Sequence, residues 1–159
     1  MSENTNTGVV DPGTGTGTAA GTESGTTSTS WLNAAIEAVM DLIDEMDNFA
    51  DITRGALGTE TGLCCEIAPS TPAEIYLDKE GYFPITLALN GKHSNLQTLS
   101  ETLNRITDTL TRRTTYPAGT GYKIVDITNS NMPRVIGREQ NNTWLMACDI
   151  VIKIYRKDV

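Results

Sequence analysis

The sequence has one histidine, three cysteines and few aromatic residues, which make up 6% of its 159 residues. A lone histidine leaves little material for a Ser–His–Asp triad, a Cys–His pair or a zinc site. Three cysteines argue against a disulfide scaffold and indicate a reducing compartment. No apolar run approaches the roughly 18 residues of a membrane-spanning helix. The start, residues 1–4, lacks the basic and apolar regions of a secretory signal. We therefore expect neither membrane insertion nor secretion.

Basic residues are scarce in the first part of the chain. Lys and Arg number 12 against 20 Asp and Glu, a formal net charge of −8. Residues 1–60 hold ten of the acids and one base, Arg54, whereas the other 99 residues hold ten acids and eleven bases. An acidic chain gains nothing from the release of phosphate counterions, which disfavours general nucleic-acid binding. The asymmetry favours head-to-tail association, with the acidic part of one copy against the basic part of the next.

Residues 1–29 are rich in Gly, Thr and Ser and contain no aromatic residue. Such a segment buries too little apolar surface to offset the entropy of ordering it. Its Gly13–Thr18 run lacks the spacing and the preceding strand of a phosphate-binding loop. We predict an extended arm over 1–29, flexible or ordered by a partner, followed by a single α+β domain over 30–159.

Two apolar stripes with helical spacing predict the main helices. The first helix begins after Ser30, and its stripe is Leu32, Ile36, Val39, Ile43, Met46 and Ala50. Its other side is acidic, which indicates a surface that faces solvent or a partner. The second begins with a capping box at Ser94–Gln97 and extends to about Arg113. Its stripe is Leu96, Leu99, Leu103, Ile106 and Leu110, and its exposed face offers the pairs Glu101/Arg105 and Asp108/Arg112.

Alternating and β-branched segments predict six strands. They cover residues 63–68, 73–77, 82–89, 122–128, 134–136 and 143–156. We expect Asn90-Gly91 to end the third strand, and Ile124 to face away from Val125 and Ile127. The last strand exceeds the usual length, so one end is expected to project and pair elsewhere. The order predicts an α+β fold: a mainly antiparallel sheet with two main helices packed on it.

Catalytic and metal-binding signals are weak. His93 lies in a polar turn with no nucleophile placed near it, so a surface position is favoured. Cys64 and Cys65 are adjacent on a strand and point to opposite faces, and Cys148 is far away in sequence. We expect the three cysteines to be small core residues, and we predict no enzyme activity, no metal and no cofactor.

Two stretches carry a resemblance to a known family. They are residues 90–113, which include the helix that starts Asn95-Leu96-Gln97, and residues 133–145, where Gly137-Arg138-Glu139 precedes Trp144. With the long final strand, they make residues 31–157 resemble the tail terminator, or minor capsid, proteins of tailed bacteriophages of Gram-positive hosts. The arm lies outside this resemblance.

The resemblance implies a virion protein of the head–tail junction, assembled in the host cytoplasm. It implies a ring, usually of six copies, that caps the head-proximal end of the tail tube, stops its growth and presents the docking surface for the head. Its partners would be itself, the tail tube protein, the connector or stopper protein, and the sheath if the tail contracts. DNA would pass through the lumen without specific binding, and an acidic lining would suit such a conduit.

Twelve residues are candidates for the contacts between copies or with partners. Trp144 is either an apolar anchor or a core residue at the strand start. Arg112 and Arg113 are explained equally well by capping of the helix C-terminus. The candidates are Asp41, Asp44, Glu45 and Asp51 on the acidic side, Arg105, Arg112, Arg113 and Arg138 on the basic side, and Glu139, Asn141, Asn142 and Trp144.

Two alternatives stay open. One is a head-completion or stopper protein of the same junction, which differs in its neighbours rather than its chemistry. The other is a small cytoplasmic binding protein or an enzyme that uses His93 with a carboxylate.

Overall fold

The computed structural model describes residues 30–157. The predicted arm over 1–29 lies outside this range. The elements are α1 (Trp31–Asp44), β1 (Ile52–Arg54), β2 (Gly62–Ala68), β3 (Glu74–Ile75), β4 (Gly81–His93), α2 (Leu96–Thr111), β5 (Ala118–Gly119), β6 (Tyr122–Arg138) and β7 (Trp144–Arg156). Among the residues of that range, no helix is long and apolar enough to cross a membrane.

The strands form one sheet in the order β1-β2-β4-β7-β6-β5, with β3 paired to the start of β4. The contact of β1 with β2 is parallel, and the other pairings are antiparallel. Two helices pack against this sheet, α2 over β4, β7 and β6, and α1 against β1, β5 and β6. The prediction of an α+β fold with a mainly antiparallel sheet and two main helices is therefore confirmed.

The core lies between the helices and one face of the sheet. From α2 it receives Leu99, Leu103, Ile106 and Leu110, which are at most 1% exposed, so the predicted stripe is confirmed, with Leu96 at its partly buried edge. The sheet contributes alternate residues of β7 and β4, because side chains on one face repeat every second residue. These are Met146, Cys148, Ile150, Ile152 and Ile154 with Leu87 and Leu89.

Both helices differ from the prediction at their ends. The first helix ends at Asp44 rather than near Ala50, and Met46 packs against the core from the loop that follows. Ser30 is its N-cap, but the Ser30 side chain makes no capping hydrogen bond. In α2 the N-cap is Asn95 rather than Ser94, because the Asn95 side chain accepts from the backbone amides of Gln97 and Thr98.

The prediction that β4 ends at Asn90-Gly91 is wrong, since the strand continues to His93. Gly91 stands opposite Met146 of β7 and Leu63 of β2. A Cβ atom at this position would lie 2.6 Å from Leu99 Cδ1, so the glycine lets α2 approach the sheet closely. Gly91, which the sequence predicts to end the strand, is instead needed for the close packing of α2 on the sheet.

The segments predicted as two strands, 122–128 and 134–136, form the single strand β6. Its pairing with β7 shifts register four times, first between Ile124 and Asp126. That bulge places Ile124 and Ile127 in the core, both 1% exposed, and leaves Val125 exposed. The prediction that Ile124 faces away from Val125 is confirmed, and the prediction that it faces away from Ile127 is wrong. The final strand does not project either, because β7 is paired with β4 and with β6 over its whole length.

Candidate functional site

The predicted acidic residues lie on α1 and the loop that follows it. Asp41, Glu45 and Asp51 are exposed. Asp44 is also exposed but has a structural task, because its carboxylate accepts a hydrogen bond from the backbone amide of Ile52 at 2.7 Å. This bond joins the end of α1 to the start of β1. The acidic surface is therefore formed by Asp41, Glu45 and Asp51, with Asp44 holding the loop in place.

Arg105 lies beside this loop instead of on a separate basic side. Its guanidinium donates to the backbone carbonyl of Asp47 and, at 3.4 Å, to the side chain of Asn48. Glu101, the predicted partner of Arg105, instead accepts a hydrogen bond from the side chain of Gln97. A residue proposed for a contact between copies thus joins α2 to the loop after α1 within one chain.

Arg112 and Arg113 lie at the other end of α2. Arg112 is the C-cap of the helix and pairs with Asp108 at 2.6 Å, as the spacing predicted. Arg113 donates to the backbone carbonyl of Thr115 at 3.5 Å. Because both residues of the Arg112–Asp108 pair are exposed, water screens it and it adds little to stability. Of the predicted basic residues, these two lie at the C-terminal end of α2.

Arg138, Trp144, Asn141 and Asn142 lie at the turn between β6 and β7. The Arg138 guanidinium stands 4.9 Å from the centroid of the Trp144 ring, which is partly buried against the core. Of the two roles predicted for Trp144, an apolar anchor or a core residue, the structure shows the contact with the core. The side chain of Asn141 accepts from the backbone amide of Thr143, and Asn142 adopts the left-handed conformation with φ 63°. Both asparagines therefore form the turn.

Glu139 holds a buried lysine that sequence reasoning did not single out. Lys92, at the end of β4, is 3% exposed, and its ammonium lies 2.6 Å from the Glu139 carboxylate. The same ammonium donates to the carbonyl of Gly58 at 3.3 Å. A buried charge is tolerated when it is paired and hydrogen-bonded. Lys92 thereby joins three segments: β4, the loop after β1, and the β6–β7 turn. Lys92 lies opposite Leu145 of β7. No sequence signal identified it, because the predicted strand ended before it.

His93 lies at the end of β4. Its Nδ1 atom accepts a hydrogen bond from the Asn95 amide at 2.8 Å, and its ring contacts that of Phe49 edge-on. These contacts make His93 part of the connection into α2.

Burial raises the pKa of the Cys148 thiol to about 12 and that of Cys65 to about 11. All three cysteines are buried free thiols, which confirms that they are small core residues. Within residues 30–157, no group of three or more His, Cys, Asp or Glu side chains could hold a metal ion.

The most exposed apolar side chains were not predicted as a site. One group is the tip of the hairpin between β3 and β4, Ile75, Tyr76 and Leu77, where Leu77 is fully exposed. We call residues 75–77 the hairpin tip. The other group lies along β6: Val125, Met132, Val135 and Ile136, between 41% and 66% exposed.

A network of aromatic residues supports the hairpin tip. The Tyr76 ring meets that of Tyr82 edge-on at 6.3 Å, and Tyr82 contacts Tyr155 at 5.2 Å. The hydroxyl of Tyr155 donates to the Glu80 carboxylate, and this bond, foremost, raises the Tyr155 pKa to about 12. The tip is therefore attached through Tyr76 and Glu80 to the central strands β4 and β7, which hold it in a defined position.

No family model matches the sequence, and no curated protein matches it either.

Proposed function

We propose that this chain is a structural protein of the phage head–tail junction. It forms a ring, of six copies as its resemblance to tail terminators implies, that caps the head-proximal end of the tail tube and stops its growth. The ring then offers the docking surface for the connector or stopper protein. The chain acts through contacts with its own copies and with neighbouring proteins, not through catalysis, and DNA passes through the lumen without specific binding.

The observation that carries this proposal is the hairpin tip. Three consecutive large apolar residues are exposed to solvent at the end of a short hairpin, and the middle one, Tyr76, contacts the Tyr82 ring of β4. An exposed apolar group held on a rigid element is typical of a surface that is covered by another protein. Leu77, fully exposed, is the residue we expect to enter a pocket of the neighbouring subunit or of the tube protein.

The charge distribution favours a head-to-tail arrangement. Glu45 and Asp51 lie at the end of α1 and in the loop that follows it, whereas Arg112 and Arg113 lie at the far end of α2. Surfaces of opposite charge at different places on one subunit promote heterologous contacts, which close into a ring when the rotation between copies allows it. Such charges mainly steer the approach of subunits and set their register.

The test compares two variants of the full chain, Leu77→Asp and Thr71→Asp, in binding to tail tubes. Thr71 is exposed in the loop before β3, so its substitution adds the same charge without removing an apolar contact. We expect wild type and Thr71→Asp to bind one end of each tube and stop its growth, and Leu77→Asp to bind at least tenfold more weakly. Equal binding of all three variants would contradict the proposal.

The same experiment separates the stopper alternative. A terminator binds purified tubes in the absence of heads, whereas a stopper binds the connector of filled heads and leaves tube growth unchanged. Binding to heads alone would therefore replace the terminator assignment with the stopper.

The conduit for DNA has its own test. Asp44 is unsuitable for charge reversal, because its carboxylate holds the Ile52 amide. We expect Asp41→Lys with Glu45→Lys to slow DNA ejection from assembled particles while rings still form. Unchanged ejection kinetics would show that these acids do not line the path of the DNA.

A further inference from the structure

Over residues 125–138, one edge of β6 has no strand paired with it within the described residues 30–157. The short strand β5 pairs with Tyr122 and Lys123, and the amide of Ile124 donates to the carbonyl of Pro117 at 3.1 Å. Beyond these residues, from 125 to 138, the strand pairing of β6 is with β7, on its other edge, and the Ile127 backbone also bonds to the Tyr116 side chain. Fourteen residues at about 3.3 Å each give a free edge of about 45 Å.

Apolar side chains line this free edge. Val125, Met132, Val135 and Ile136 are exposed on it, with Met132 at 66%. Met132 and Asn129 also border an open groove whose other wall is formed by α2, through Asn104, Thr107 and Thr111. An unpaired edge with exposed apolar residues is a template for an added strand, which would gain main-chain hydrogen bonds and apolar contacts together.

The chain supplies a segment that starts near this edge. The first turn of α1 lies beside the first residue of β6, because the Tyr122 hydroxyl donates to the carbonyl of Ala34 at 3.3 Å. Ser30 is one turn earlier, since its carbonyl accepts from the Ala34 amide. Residues 1–29 precede it, and fully extended they reach about 95 Å, twice the length of the free edge.

The sequence of this segment has the period of a strand. From Gly13 to Thr18 glycine and threonine alternate strictly, which in an extended chain places every threonine on one face and every glycine on the other. Threonine favours strands, and a face of glycines allows close approach to the wall of a groove. Val9 and Val10 are an apolar pair ahead of this run, like the pair Val135 and Ile136 on β6.

We propose that residues 8–20 add to the free edge of β6 in the same chain, as a strand antiparallel to it. The antiparallel direction follows because the segment must return to Ser30 at the Tyr122 end. Val9 and Val10 then lie beside Val135 and Ile136, and residues 21–29, about 30 Å when extended, close the connection. Attachment within one chain gives a high effective concentration, which favours this arrangement over exchange between copies. The inference is independent of the proposed function.

The register shifts and Pro133 restrict which segment fits. Proline has no amide hydrogen, so pairing is interrupted at Pro133, and the shifts near Asn131 and Val135 bend the edge. A flat apolar strand would match this path poorly. A segment with glycine at alternate positions can follow it, because glycine adopts backbone conformations that other residues avoid.

Disulfide trapping in the full chain tests the pairing and its origin. Val10→Cys with Val135→Cys, which the proposed register places opposite each other, should oxidise readily to a disulfide within one chain, seen as a faster-migrating monomer on a non-reducing gel. The native cysteines are buried and do not compete. The control pairs Val10→Cys with Glu101→Cys, an exposed position on α2, and should form at least tenfold less disulfide. Equal yields in the two pairs would overturn the proposal, and a disulfide-linked dimer would overturn its assignment to one chain.

Hydrogen exchange gives a second readout without cysteines. Thr14→Pro with Thr16→Pro removes two amide donors from the proposed strand. Among residues 125–138, the amides that point to the free edge should therefore exchange at least tenfold faster than in wild type, while those bonded to β7 should not. Thr5→Pro, outside the proposed strand, should leave their exchange unchanged. Identical exchange of residues 125–138 in all three proteins would show that the segment does not cover β6.

Discussion

The long strands β6 and β7 are neighbours in the sheet, yet they differ in how their side chains are arranged. In β7 both edges are paired, and every second residue from Met146 to Ile154 is buried. In β6 one edge is free from 125 to 138, the register shifts four times, and the burial pattern is irregular. A strand paired on both edges keeps a strict alternation, because a slip would break two ladders. A bulge in an edge strand disrupts only one ladder of hydrogen bonds, so the sheet tolerates it more easily.

The largest difference between the two strands should be in stability. Ile152→Ala in β7 removes a side chain that is 0% exposed and leaves a cavity, so we expect a loss of about 3–4 kcal/mol in the free energy of unfolding. Ile136→Ala in β6 changes a side chain that is 60% exposed and should cost less than about 1 kcal/mol. Urea denaturation of both variants measures this contrast. Equal losses would show that β6 is as firmly embedded as β7.

Glycines on the two sides of β7 give a second contrast. Gly91→Ala in β4 places a Cβ 2.6 Å from Leu99 Cδ1 and 3.2 Å from Leu63 Cδ2, and overpacking of this kind costs about 1–3 kcal/mol. Gly137→Ala in β6 meets no atom within 4 Å and should change stability by less than about 0.5 kcal/mol. Thermal unfolding of the two variants measures the difference. If Gly91→Ala is harmless, α2 does not require the glycine.

Loss of the ion pair at the β6–β7 turn should cost less than Ile152→Ala in β7. Glu139→Gln leaves the buried Lys92 ammonium without its carboxylate, and because Glu139 is 40% exposed we expect a loss of about 1–2 kcal/mol. The matched control is Asp108→Asn, which breaks an exposed pair and should cost less than about 0.5 kcal/mol. Lys92→Met combined with Glu139→Gln should recover most of the loss. A double variant as unstable as Glu139→Gln would contradict this explanation.

The smallest expected effect concerns pH and the centre of β7. Burial raises the pKa of Cys148 to about 12 from its ordinary value of 9.0. The unfolded chain therefore releases this proton at lower pH than the folded chain, so the stabilising contribution of the neutral thiol is complete below pH 9 and is lost as pH rises towards 12. Between pH 9 and 10 we expect Cys148 to account for about 1 kcal/mol of lost stability. Cys148→Ala should show a correspondingly shallower decline, and parallel declines would contradict the assignment.

Much of the fold follows from periodicity alone. The stripe of α2 and the alternation of β7 are long and regular, and the structure confirms both. The errors are local and have physical causes. The bulge after Ile124 brings Ile127 to the same face as Ile124, against the prediction. Gly91 continues a strand because of packing, which only the tertiary contact with Leu99 shows. Propensity of single residues cannot report such contacts.

The candidate site was less predictable than the fold. The sequence predicts Arg105 and Arg138 as surface charges available to a partner. In the structure Arg105 is bonded to the loop after α1, and Arg138 covers the Trp144 ring. Charge counts along the chain do not show which residues the fold brings together. The hairpin tip was predicted as part of a strand, and its exposure follows from the early end of β3 at Ile75. Exposure of a short hairpin depends on how many residues pair, which the sequence pattern leaves open.

The most direct test of the assembly is the mass of the particle that the full chain forms, measured in solution and again after mixing with purified tail tubes. The account predicts a closed ring of several copies, six by resemblance, at one end of each tube. A protein that sediments as a 17.2 kDa monomer and stays unbound beside assembled tubes would contradict it.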